Sequence, residues 1–144
     1  MAFTGNWACN TFKTGLMNGT FNFTSGTFYM ALYTNLATLD ATTTAYTSTG
    51  EVVASGYTAG GLALTIAQVP TIGNQTGAAT SYISFNNAVW TSALTARGAL
   101  IYLSNGTTNP TVCVLDFGND KSSSSTFTVQ FPAVTNTSAI IRIS

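Results

Sequence analysis

The sequence predicts an all-β domain, an antiparallel β-sandwich or jelly-roll-like fold with one short N-terminal helix, and three observations predict it. Short runs rich in aromatic and β-branched residues recur from residue 27 to the C-terminus. Gly, Asn, Ser and Pro punctuate them, as turns require. No stretch after residue 20 has helical periodicity, so the helices of about 10 to 15 residues that an α/β fold sets between strands have no candidates.

The 144 residues make one domain of usual size, 1–144, with an arm and helix over 1–20 and a sandwich body over 21–144. Residues 1–6 form a short arm tipped by Phe3. The helix is expected over 7–18, where Phe12 and Leu16, and Cys9 and Lys13, are spaced i, i+4, and Gly19 closes it. Residues 27–34 read as a strand in which Phe28, Met30 and Leu32 face inward and alternate with Tyr29, Ala31 and Tyr33. Further strands are expected at 62–69, 81–85, 88–90, 98–103, 111–117, 126–131 and 138–143. The expected core comprises Phe28, Met30, Leu32, Leu64, Ile83, Trp90, Leu100, Val114, Phe127 and Ile141.

Two connections stand apart. Residues 35–61 form a long Thr-rich loop of the kind that usually serves an interaction. Residues 121–125, Lys-Ser-Ser-Ser-Ser, read as an exposed turn between strands.

Composition narrows the function. Eight residues are charged, four of each sign, there is no histidine, and 27 residues are threonine. Soluble monomers carry about a quarter charged residues, so this surface is expected to associate. General acid–base chemistry falls mostly to residue types that are scarce here, and the hydroxyls have no base to activate them, so no enzyme is expected. The four cations are scattered singly, which offers no cluster for a nucleic-acid backbone. No apolar run approaches the roughly 20 residues that cross a bilayer, and the opening MAFTGNWACN lacks the basic start of a signal peptide. Neither nucleic acid nor membrane is an expected partner, and synthesis in cytoplasm is expected. Cys9 and Cys113 read as buried thiols. Triplets of the Asn-x-Ser/Thr form at Asn18, Asn22, Asn74, Asn105 and Asn136 arise by chance in a chain this rich in Asn and Thr.

Motif candidates reduce to structure. Asp116-Phe-Gly-Asn-Asp120 supplies too few oxygens for Ca²⁺ and reads as a turn at a strand end. Gly56-Tyr-Thr-Ala-Gly-Gly61 lacks the Lys-Ser/Thr of a phosphate loop and reads as a turn into the strand at 62. No metal or organic cofactor is expected. Trp7, Trp90, Tyr46, Tyr57 and Tyr102 are candidates for stacking on sugar rings, with core or subunit packing the simpler reading.

The segments Asn10-Thr-Phe-Lys-Thr-Gly-Leu-Met-Asn-Gly19, Phe28-Tyr-Met-Ala-Leu-Tyr33, Gly56–Gly61, Ala96-Arg-Gly-Ala-Leu-Ile-Tyr102 and Leu115-Asp-Phe-Gly-Asn-Asp120 together resemble a family of small structural proteins of tailed bacteriophages. The resemblance spans nearly the whole chain. It implies a capsid decoration, or cement, protein, β-rich and trimeric, set on the outer surface of the head and bound to the major capsid protein. A tail, fibre or baseplate component, glycan-binding in one version, is the alternative. Interface residues are expected in the N-terminal segment at Phe3, Trp7, Phe12, Leu16 and Met17, and in the long loop at Tyr46 and Tyr57. Both segments have the alternative of covering the domain's own sandwich edge.

Overall fold

A computed structural model describes residues 3–73 and 79–144; Met1, Ala2 and Asn74, named above, lie outside that range. Its elements in chain order are β1 (Trp7–Ala8), α1 (Asn10–Asn18), β2 (Phe28–Tyr33), β3 (Leu62–Ala63), β4 (Ile66–Ile72), β5 (Ser81–Phe85), β6 (Ala88–Trp90), β7 (Thr95–Leu103), β8 (Thr111–Ser122), β9 (Phe127–Val129) and β10 (Ile141–Ile143). All strand pairs are antiparallel. They form a five-stranded sheet in the order β1-β8-β7-β2-β3, a three-stranded sheet β10-β5-β4 and a two-stranded sheet β6-β9. The fold is all-β with one short helix, as the strand runs predict.

Aromatic rings join the layers. Phe28 of β2 stacks on Phe23 with centroids 4.5 Å apart and meets Phe85 of β5 at 6.0 Å; Phe85 in turn meets Phe131 at 5.7 Å. Phe12 of α1 contacts Phe21 edge-on at 5.2 Å, which ties the helix to the same seam. Each such pair adds about 0.5 to 1.5 kcal/mol beyond area burial. Eight of the ten expected core residues are buried. The other two, Leu64 and Ile141, are half-buried and pack against the core.

The helix begins later than its periodicity predicts. Trp7 and Ala8 pair with Val114 and Cys113 of β8, and Cys9, extended at φ −66° and ψ 146°, is the N-cap. A long-range ladder thus takes the residues that local spacing assigns to the first turn. Gly19 at φ +78° ends the helix, with the Thr20 N–H donating to the Gly15 carbonyl at 2.9 Å. Residues 3–6 are not a free arm: Phe3 is buried against Gly98, and the Asp116 N–H donates to Asn6 Oδ1 at 2.7 Å.

The expected strand over 62–69 breaks into β3 and β4 because β3 pairs with β2 and β4 with β5. β7 starts earlier than expected, at Thr95, while β9 and β10 are shorter than their sequence runs. The Asp116–Asp120 segment is not a turn at a strand end. It lies inside β8, where Gly98 pairs with Asp116 and Ala96 with Lys121, so extra residues bulge out between two ladder positions. Gly118 at φ +82° permits the excursion, and its N–H donates to Asp116 Oδ1 at 2.8 Å. Lys121 and Ser122 extend β8, and the exposed turn to β9 begins only at residue 123.

Candidate interaction surface

The outward face of β2 is covered by the chain itself. Residues 35–61 return alongside β2, where the Thr34 N–H donates to the Gly50 carbonyl and the Val52 N–H to the Leu32 carbonyl, both at 2.9 Å. On the far side the Tyr46 N–H donates to the Asn109 carbonyl at 3.0 Å. Ala31 and Tyr33 are consequently as buried as Phe28 and Met30, which corrects a strand with one solvent face.

Glu51, 8 % exposed, holds this cover in place. Its Oε1 accepts the Tyr57 hydroxyl and the Gly60 N–H, each at 2.7 Å, and its Oε2 accepts the Tyr46 hydroxyl at 2.7 Å. The Tyr57 oxygen also accepts the Leu32 N–H at 2.8 Å. Tyr33 donates to the Thr47 carbonyl at 2.6 Å and Tyr102 to the Gly60 carbonyl at 2.7 Å. Three donors satisfy a carboxylate that would otherwise be expensive to bury. Burial, reinforced by the Glu51 charge, raises the tyrosines: Tyr33, Tyr46 and Tyr57 lie well above the usual phenol value and Tyr102 is pushed up to about 12. At neutral pH these phenols are protonated donors, so the cluster latches the loop and has no general base among its tyrosines.

Glu51 went unread in the sequence. The available signal was the chain's single glutamate between Tyr46 and Tyr57 in a Thr- and Ala-rich loop.

The second polar cluster is also structural. Burial opposes ionisation of Asp116, but the Gly118 N–H and the Arg97 guanidinium, whose Nε is 3.1 Å away, outweigh it and hold the carboxyl below its usual range. Asn35 Nδ2 donates to Asp120 Oδ2 at 3.1 Å, tying the loop to the bulge. Cys9 and Cys113 are free thiols; burial raises Cys9 and pushes Cys113 up to about 12. Among the described residues no group of three or more His, Cys, Asp or Glu is placed to hold a metal, and no helix is long and apolar enough to cross a membrane.

An apolar face remains open where α1 and β10 meet. Trp7 is 40 % exposed and Met17 86 %, with Leu16 and Ile143 also exposed. One groove of about 380 Å³ runs between α1 and β5 and is lined by Phe12, Leu16, Phe21, Tyr82 and Ile143. Another of about 320 Å³ runs between β8 and β10, lined by Trp7, Phe12, Leu115, Ile141 and Arg142. No carboxylate lines either groove.

The expected interface residues therefore separate into three groups. Leu16 lines the groove beside β5, Trp7 lines the groove beside β8, and Met17 is exposed on α1 without lining either. Phe3 and Phe12 are buried, Phe3 against Gly98 and Phe12 against Phe21, and Phe12 also lines both grooves. Tyr46 and Tyr57 are half-buried and turn their hydroxyls inward to Glu51. The five aromatics considered for sugar stacking form no common ledge, since Trp90 and Tyr102 are buried. Ile143, Ile72 and Val69 add exposed apolar surface that strand patterning alone did not single out.

No family model, curated protein or solved structure matches the chain.

Proposed function

We propose that the protein is a structural component of a tailed-bacteriophage virion, a capsid decoration protein that binds the major capsid protein lattice on the outer surface of the head. The observation that carries this reading is the combination of a nearly uncharged surface with large exposed hydrophobics, Met17, Leu36, Ile72 and Val53 among them, on a chain whose polar clusters are spent on internal latching. Apolar patches rimmed by neutral polar groups suit contacts made during assembly, because little charge must be desolvated. Many copies engaging one lattice gain effective concentration, so modest contacts give durable attachment. The resemblance of the N-terminal and strand motifs to small phage structural proteins points the same way.

Quantitative mass spectrometry of purified virions tests the proposal. A decoration protein is expected at a fixed stoichiometry to the major capsid protein, and it should rebind capsids stripped of it. A copy number matching a tail or baseplate ring, with no rebinding to heads, would favour the tail or fibre alternative. Absence from the particle would reject both.

A further inference from the structure

A second apolar region lies apart from the α1–β10 face, at the end of the five-stranded sheet where β2 leads into the long loop. Val53 is 97 % and Leu36 81 % exposed, although the loop carrying them is latched to β2. Val53 shares a shallow surface with Thr34, Thr95 and Ser123, and Asp120 sits at the same end, joined to Asn35 beside Leu36. Two apolar side chains thus project from a firmly held support, at the end of the molecule that carries the Asp120 carboxylate. The α1–β10 face has the opposite character: it is concave, the groove between β8 and β10 carries Arg142, and neither groove carries a carboxylate.

Among the described residues the single ion pair is Arg97–Asp116. Among the described residues Arg142 and Asp120 have no ionic partner; Arg142 donates to the Thr137 carbonyl at 2.6 Å and Asp120 accepts from Asn35. We propose that the α1–β10 grooves receive the Leu36 and Val53 end of a second copy of this chain, with Asp120 of one copy opposite Arg142 of the next. The contact is heterologous, so repetition closes a ring or grows a filament. The inference rests on the reading of the protein as an assembly subunit, and it assigns which surface of that subunit meets its own kind.

The test is sedimentation equilibrium of the purified full chain over a concentration series, with a circular-dichroism melt of each variant. Wild type is expected to self-associate. Val53→Asp, which places an unpaired charge in an apolar groove, should weaken association about tenfold or more while leaving the melt unchanged. Asp120→Arg and Arg142→Asp should each weaken it, and the double variant Asp120→Arg/Arg142→Asp should restore it. A wild type that stays monomeric would overturn the inference, as would association indifferent to Val53→Asp, or a double variant no better than either single one. Monomers that still bind stripped capsids would sink self-docking and leave the decoration reading standing. An intact oligomer that ignores capsids would do the reverse.

Discussion

Sheet faces at two places in this molecule meet different fates. Over β2 and β7, residues 35–61 fold back and Glu51 fastens them with three hydrogen bonds, so Tyr33 and Ala31 are buried by the chain's own loop. Beside β10 no segment among the described residues returns, and Trp7, Leu16 and Ile143 stay at the surface along two grooves, with Met17 exposed on α1. The difference teaches that one long, Thr-rich connection has two sides. Its inner side serves as an internal cover, while Leu36 and Val53 on its outer side, like the short helix and last strand, carry exposed apolar area.

Phe28→Ala should have the largest effect, because the ring contacts Phe23 and Phe85 and so supports both regions at once. A loss of about 3 to 5 kcal/mol in urea unfolding is expected. Glu51→Ala should break only the covered region. It strands the Tyr46 and Tyr57 hydroxyls and the Gly60 N–H, which predicts a loss of about 2 to 3 kcal/mol and faster amide exchange at Val52 and Thr34. Tyr46→Phe removes one donor and keeps the ring stacked 4.9 Å from Tyr102, so about 1 kcal/mol is expected. Met17→Ser, on the open face, should fall within about 0.5 kcal/mol of wild type in the same assay and show its effect only in association.

Alkaline pH sharpens the contrast further. The folded-state values of Tyr33, Tyr46, Tyr57 and Tyr102 lie above the ordinary phenol value of 10.0, so from there upward the unfolded chain loses protons that the folded chain keeps. Stability from the latch is therefore complete below pH 10 and declines as pH climbs through the folded value of about 12 for Tyr102. Urea midpoints measured across that window should fall, and Tyr102→Phe should make the fall shallower. A flat profile would contradict the burial of these phenols.

The strand runs and most of the core were legible because alternation and β-branched composition are local signals. Phe28, Met30 and Leu32 could be assigned to the core on sight. Burial of Ala31 and Tyr33 was hidden, since it depends on a loop held by Glu51 some twenty residues away in sequence. The start of the helix was misread for a similar reason: Trp7 adjoins the helical spacing of Cys9 and Lys13 but pairs with Val114 more than a hundred residues on. The exposure of Trp7, Leu16 and Met17 was legible as a surplus of apolar side chains on a short segment. Phe3 and Phe12 share that chemistry, and only the positions of Gly98 and Phe21 decide that they point inward.

Hydroxyl-radical footprinting, comparing the free chain with the chain in assembled particles, tests the central claim most directly. Trp7 and Met17 are predicted to react readily in the free chain and to be protected on assembly. Tyr33, already buried beneath the loop, should react slowly in both states. Trp7 and Met17 as reactive in the particle as in the free chain would contradict the account, because the α1–β10 face would then have no occupant.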